Sequence, residues 1–303
     1  MPGRVRRPMG KKRNMAGHCL TIDVEDYFHV VAMSEVVKLS DWDRMPCRVE
    51  ANMRRLLDLL GEAGVRTTCF FLGWVAERYP RLVREAVAGG HEVACHSYWH
   101  QPVYRLTRQQ FLDDTQRAKA VIEEAAGMPV VGYRAPSFSI TREAQWAYAV
   151  LAELGFAYSS SVHPIRHDIA SNAGAARTPY QPVPGLWEIP VATVQTRWGT
   201  LPMAGGAYWR ILPFGYTRWA IRAWEKEQAQ PGVFYLHPWE IDPEQPRLPA
   251  RLRSRLRHYT GLGRMSGRLR RLLGDVSGGP MLECLPVLQE AARAAHHAGG
   301  AAR

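Results

Sequence analysis

The chain has 303 residues, 46% of them hydrophobic, and a formal charge of +11 at pH 7. That size buries a substantial core, as one large domain with an appendage or as two domains, and the basic residues gather at 4–13 and 247–271 while the middle is roughly balanced, which argues for solvated ends and against a nucleic-acid footprint. The five cysteines are odd in number and form no C-x-x-C pair, and no run reaches the ~18 apolar residues of a membrane span, so a disulfide framework and a spanning helix are excluded and a reducing, cytoplasmic setting is expected.

In chain order, residues 1–17 read as a disordered basic leader and 18–22 as a buried strand. Val49, Met53, Leu56, Leu57 and Leu60 recur at helical spacing and predict a helix over 49–63 closed by Gly64. A strand at 67–73, a helix at 79–90 ended by glycines and a strand at 91–95 follow. Thr107-x-x-Gln110 matches a capping box opening a helix to about residue 126. Next come a strand at 129–133, a helix from Thr141 to 154, strands at 156–160 and 187–194, a helix near 215–228 and a seventh strand at 232–237. Strands alternating with helices predict a parallel sheet, open or closed into a barrel. After Pro249 the pattern becomes an Arg-rich amphipathic helix carrying Leu252, Leu256 and Leu262, so the division expected is 1–17 leader, 18–245 α/β domain and 246–303 helical extension.

Reactive side chains fall at the carboxyl ends of the predicted strands: Asp23, His96, Arg134 and His237. In α/β folds that edge is where loops assemble a site. Asp23, Glu25 and Asp26 lie within four positions, and clustered carboxylates are costly without a cation. His96 and His100, four apart and expected on one helical turn, project to one side and grip an ion; position 97 is Ser, so this is not H-E-x-x-H. Two imidazoles and a carboxylate leave open positions on a metal, as hydrolytic zinc sites and iron oxygenases both require. A spare carboxylate and a spare histidine favour hydrolysis, which needs a base and an acid.

TIDVED, HSYWH, GYRAPSFSI and YLHPWEID, in that order, resemble the NodB-homology polysaccharide deacetylases of carbohydrate esterase family 4. The likeness spans about 18–240 and extends to the exosortase-associated exopolysaccharide branch through HYTGL…RLRRLL. It implies a distorted (β/α)7 barrel with a C-terminal extension and a divalent ion, zinc before cobalt, nickel or manganese. It also implies Asp23 as base, Arg134 as its orienting arginine, His96 and His100 as ligands and His237 as proton donor. Two departures stand out. Val24 follows Asp23 where the family commonly has a second aspartate, so the carboxylate ligand is Glu25, which shares a strand face with Asp23, or Asp26. Ser159 stands where an aspartate bracing the histidine is expected, with Asp168 as a substitute.

The implied reaction removes acetyl groups from amino sugars of a polysaccharide, with the Ser137 N–H stabilising the oxyanion and Tyr98 and Trp99 beside the sugar. Tyr104, Trp198, Tyr208 and Trp209 are further stacking candidates, and Trp146, Tyr148 and Trp219 are packing residues. The Arg-rich helix is a solvated face, or a dock for a membrane or glycan-assembly surface. Alternatives are a metal-independent amidohydrolase acting on a small cyclic amide, which predicts loss of metal ligands, and a non-catalytic glycan-binding relative.

Overall fold

The structure is a computed structural model and describes residues 17–228, 230–274 and 278–300. All but the last residue of the expected leader lies outside the described residues. The strands are β1 (Cys19–Val24), β2 (Thr68–Phe71), β3 (Glu92–Cys95), β4 (Gly132–Tyr133), β5 (Tyr158–Ser159), β6 (Tyr180–Val183), β7 (Leu186–Glu188), β8 (Thr193–Thr196), β9 (Gly199–Pro202) and β10 (Val233–Leu236). Among the described residues one sheet runs β10-β1-β2-β3-β4-β5-β7-β6, parallel except at the β6–β7 hairpin, and β8–β9 form a separate hairpin.

The seven parallel strands fall where the sequence pattern puts them, with one change. Residues 187–194, expected as a single strand, divide into β7 and β8. Pro190 has no N–H for a ladder, and the chain leaves the sheet there. The Ala192 N–H reaches Val233 O at 3.0 Å, so this connecting segment, and not a strand pair, bridges β7 to β10. The result is a curled half-barrel, with no strand pairing between β7 and β10 among the described residues.

The helices are α1 (Val49–Ala63), α2 (Gly73–Arg78), α3 (Pro80–Ala88), α4 (Arg108–Ala126), α5 (Ala147–Glu153), α6 (Gly206–Ile211), α7 (Phe214–Glu227), α8 (Leu252–Tyr259), α9 (Leu262–Leu272) and α10 (Met281–Gly300). In α1 the buried face is Val49, Met53, Leu56 and Leu60, and the helix ends on left-handed Gly64, φ 65°, the conformation glycine adopts without a Cβ penalty. The capping box opening α4 forms: the Gln110 N–H donates to Thr107 Oγ1 at 3.2 Å and the Thr107 N–H to Gln110 Oε1 at 2.9 Å. The helix expected from Thr141 is shorter, a 3-10 turn at Arg142–Ala144 and then α5. The Thr141 hydroxyl donates to Glu143 at 2.9 Å instead of capping a helix. The pattern did not reveal α2, β6 or β9, which are short.

The carboxyl-terminal helices touch both ends of the half-barrel. Leu262, Met265, Leu269 and Leu272 of α9 belong to the main core. Met281, Leu285 and Leu288 of α10 pack with Cys19, Phe70, Ala94 and Val233 of the sheet. The Met281 N–H donates to Thr68 Oγ1 at 2.7 Å and the Leu282 N–H to Glu92 Oε2 at 3.0 Å, so α10 begins at the amino ends of β2 and β3 with a carboxylate at its N-terminus. The arginines of 247–271 are largely engaged within the chain. Arg251 pairs with Glu35, Arg257 with Asp168 and Arg270 with Glu62, and Arg268 donates to carbonyls at the end of α6. No described helix is long and apolar enough to cross a membrane.

Candidate active site

At the carboxyl edge of the sheet, Asp23 is the last residue but one of β1, while His96, Arg134 and His237 are the residues immediately after β3, β4 and β10. The parallel register brings these ends level: Phe71 pairs with Cys95, and the Arg134 N–H donates to Cys95 O at 2.8 Å. Arg134 is fully buried, and each arm of its guanidinium is used. Nη1 donates to Asp23 Oδ1 at 2.7 Å and Thr21 Oγ1 at 2.6 Å, while Nε and Nη2 donate to the Ser160 carbonyl and hydroxyl at 3.0 Å. A planar donor fixed on three sides holds the Asp23 carboxylate in one orientation.

Glu25, His96 and His100 each present a ligand atom within 4.8 Å of the others, all buried. His96 Nδ1 lies 2.8 Å from the Arg134 carbonyl. A carbonyl only accepts, so Nδ1 carries the proton and the Nε2 lone pair faces the cluster, as a metal-ligating imidazole requires. Burial holds His96 down at about 4, hence neutral. Burial alone would raise Glu25, but the imidazoles of His100, His237 and His96 together hold it well below the usual carboxylate range. Both Glu25 oxygens and His100 Nδ1 are buried without a hydrogen bond among the described residues, although Glu25 Oε2 sits 2.8 Å from His100 Nε2. Buried oxygens so close to a nitrogen, yet without hydrogen-bond geometry, suit a shared cation.

His96 and His100 meet, but not on the helical turn expected. Residues 96–100 form a loop in which Ser97 (φ 63°) and His100 (φ 53°) are left-handed, each costing on the order of 1–3 kcal/mol. Tertiary bonds hold the loop: the Gly73 N–H donates to Ser97 O, and both carboxylate oxygens of Asp114 accept the Tyr98 and Trp99 N–H groups. Asp26 points elsewhere. Its carboxylate accepts the backbone N–H groups of Tyr27, Arg48 and Val49 at 2.8, 2.5 and 2.8 Å, which spends it on the start of α1 and leaves Glu25 beside the histidines.

His237 Nε2 lies 3.5 Å from Glu25 Oε1 and 3.9 Å from Asp23 Oδ2. Its other nitrogen, Nδ1, is 2.7 Å from Glu240 Oε1, and Arg210 Nε donates to Glu240 Oε2 at 2.7 Å. Burial pushes His237 down, but the Glu240 bond and the charges of Glu25 and Asp23 outweigh it and raise it to about 9. Neither Ser159 nor Asp168 reaches this ring in the hydrogen-bond network. Ser159 Oγ donates to Ser161 Oγ at 2.7 Å, and Asp168 is held by Arg257 Nη2 at 2.8 and 2.9 Å. Glu240 and Arg210 were missed in the sequence. The Glu240 signal was present in H-P-W-E, because the turn Pro238–Ile241 is 3-10, which eclipses positions i and i+3. Arg210, 27 positions before His237, had no local signal.

A cleft of about 790 Å³ opens over this group, and Ser137, Tyr208, Tyr235 and Trp239 are among its walls. Tyr98 is turned away: its hydroxyl donates to Glu77 at 2.5 Å and accepts from Arg117 at 2.7 Å, beside α4. Trp99 lines a smaller neighbouring cavity with Trp42. Of the other aromatic residues, Trp209 is buried, Trp198 is exposed at a hairpin tip, and the Tyr104 hydroxyl bonds Ile169 O.

Residues 34–159 match the family model for polysaccharide deacetylases, and residues 160–285 match a domain of unknown function, DUF3473. The first match makes residues 34–159 similar to polysaccharide deacetylases. A peptidoglycan deacetylase-like protein of Gibberella zeae is 26% identical over 175 residues, 53% of this chain and 50% of that protein. A chitooligosaccharide deacetylase of Bradyrhizobium is 30% identical over 108 residues, 36% of this chain and 47% of that one. The chain thus spans half or less of these curated relatives. A crystal structure assigned to the polysaccharide deacetylases, from Mycobacterium smegmatis, superposes with a TM-score of 0.57 at 22% identity, over 95% of this chain and 93% of the other, which shows a common fold. His237, Glu240, Arg210 and α8 all fall in the stretch matching the domain of unknown function.

Proposed function

We propose that this chain is a metal-dependent hydrolase that removes N-acetyl groups from the amino sugars of a polysaccharide, an exopolysaccharide by the resemblance of its carboxyl-terminal stretch. The observation that carries the reading is the buried Glu25, His96 and His100 group, its carboxylate oxygens without a hydrogen bond, with His237 beside both Glu25 and Asp23. Glu25, His96 and His100 would hold the ion. Two imidazoles and a carboxylate fit zinc first, with cobalt, nickel or manganese as alternates. When bound, such an ion supplies Lewis-acid polarisation of an acyl oxygen and acidifies water.

The chain's own residues divide the proton work. Asp23 Oδ1 is tied to Arg134, which leaves Oδ2 to accept a proton from the attacking water. His237, protonated and backed at Nδ1 by Glu240, offers its Nε2 proton to the sugar nitrogen as the C–N bond breaks. Acetate and the free amine leave, and the proton taken by Asp23 returns to solvent as His237 reprotonates. Ser137, on the cleft wall, would offer its backbone N–H to the oxyanion. Tyr98 has no part in this scheme, its hydroxyl being committed between Glu77 and Arg117.

The metal-independent alternative expects the ligand group to be lost, whereas Glu25, His96 and His100 stand together. A membrane dock gains no support, since the Arg-rich stretch is largely bound to the chain's own acids and carbonyls. The test is metal content by elemental analysis together with acetate release from N-acetylglucosamine oligomers. Asp23→Asn keeps the metal and loses about 10²–10⁴-fold in turnover; His96→Ala loses both. Near-normal turnover in Asp23→Asn would remove Asp23 from the role of base.

A further inference from the structure

The proton donor is braced by a carboxylate that the sequence pattern did not mark, and that carboxylate is itself steered from α8. Glu240 is fully buried, and each of its oxygens is committed, Oε1 to His237 Nδ1 at 2.7 Å and Oε2 to Arg210 Nε at 2.7 Å. Arg210 is 1% exposed. Its remaining arms donate to backbone carbonyls at the end of α8, Nη1 to Thr260 O at 2.5 Å and Nη2 to Arg257 O at 3.2 Å. Carbonyls at a helix C-terminus lack intrahelical partners and carry the negative end of the dipole, so a guanidinium is held there by bonds and field together. A second contact runs in parallel. Trp239 stacks on His237 at 5.0 Å and 20°, and His258 of α8 also stacks on Trp239, at 4.1 Å and 12°. Gly206 leaves the room this arrangement needs, because a Cβ there would overlap the Glu240 carboxylate.

We infer that Glu240, Arg210 and the end of α8 form a positioning relay that fixes the tautomer and orientation of His237, giving the stretch 160–285 a role in the reaction. The inference rests on His237 being the proton donor of the proposed hydrolysis. Neither Glu240 nor Arg210 touches the cluster of metal ligands in the hydrogen-bond network; they act through the far side of the ring. The direction of the bonds makes the relay testable with an isosteric change. Arg210 Nε can only donate, so in Glu240→Gln it captures the amide oxygen and turns the amide NH₂ toward Nδ1. Nδ1 must then accept, its proton is lost, and an imidazole carrying only Nε2–H cannot release that proton without becoming an anion.

The experiment uses the full, zinc-loaded chain. Nitrogen-15 NMR of His237 reads protonation at Nδ1, and steady-state acetate release from N-acetylglucosamine oligomers reads kcat and KM. In the wild type Nδ1 is protonated. In Glu240→Gln it is not, kcat falls about 10²–10⁴-fold and KM stays within about threefold. Glu240→Asp, which keeps the carboxylate, recovers the Nδ1 proton and part of kcat. In the double variant Glu240→Gln with Arg210→Met the amide is free to turn its oxygen back, and Nδ1 regains its proton. A Glu240→Gln protein with Nδ1 still protonated and kcat within about threefold of wild type overturns the relay. Should the wild type release no acetate, the proposed hydrolysis fails, and the Nδ1 measurement still decides whether the relay exists.

Discussion

Ser159 stands where a bracing aspartate was expected, and its surroundings explain the serine. It pairs in register with Glu188 of β7, and Glu188 is fully buried, its Oε1 accepting the Ser161 and Val162 N–H groups at 2.8 and 3.0 Å. An aspartate at 159 would set two carboxylates against each other in the core, a repulsion a hydroxyl avoids. Even alone, Glu188 is raised to about 7, with burial as the main cause and the Ser159 hydroxyl and the two N–H groups opposing it. The consequence for stability has a definite sign. An acid whose folded pKa lies above its unfolded value stabilises most below the unfolded pKa, near 4.5, and loses that contribution as pH rises through about 7. The wild type should therefore lose about 3 kcal/mol relative to Glu188→Gln between pH 4.5 and 8. Chemical denaturation at a series of pH values measures it, and a pH-independent difference between the two proteins would sink the argument.

Among the elements, α1 shows how a site residue and a fold residue are sorted within one short motif. Asp23, Glu25 and Asp26 look interchangeable in the sequence, yet Glu25 stays beside the histidines while Asp26 takes the orphan N–H groups where α1 begins. Glu25 reaches the site beside Asp23 although it lies one residue beyond β1, its N–H turned back to Asp23 O at 3.0 Å, and nothing local says that Arg48 and Val49 come to lie over Asp26. Asp26→Ala should cost about 2 kcal/mol through buried N–H groups left without an acceptor, with the metal content unchanged; Glu25→Ala should lose the metal. Equal metal loss in both variants would reverse the assignment. The same division holds for the rest of the chain. The seven parallel strands, α1 and the box at Thr107 were legible because apolar period and capping residues are local signals. The left-handed loop 96–100, the break at Pro190 and the Glu240–Arg210 pair were not, because bonds from distant segments decide them: Asp114 holds the loop and α8 holds Arg210.

At the scale of the molecule, the carboxyl-terminal helices contribute to opposite ends of the half-barrel and should be separable by experiment. At the site end, α8 meets Arg210 and Trp239. At the other end α10 covers the amino ends of β2 and β3, with Met281, Leu285 and Leu288 set against Cys19, Phe70 and Val233. Leu288 is 1% exposed, and truncating a leucine so buried costs about 2–5 kcal/mol, the lost transfer energy plus the cavity left behind. Leu288→Ala should therefore lower the unfolding free energy measured in urea by that amount while leaving metal content, kcat and KM of the folded protein at wild-type values, since α10 does not line the cleft. Glu240→Gln should do the reverse, sparing stability and collapsing turnover. A Leu288→Ala protein that is as stable as wild type would show that α10 does not close the floor of the half-barrel in solution. One that folds but loses turnover would show that the two ends are mechanically coupled through the strands between them.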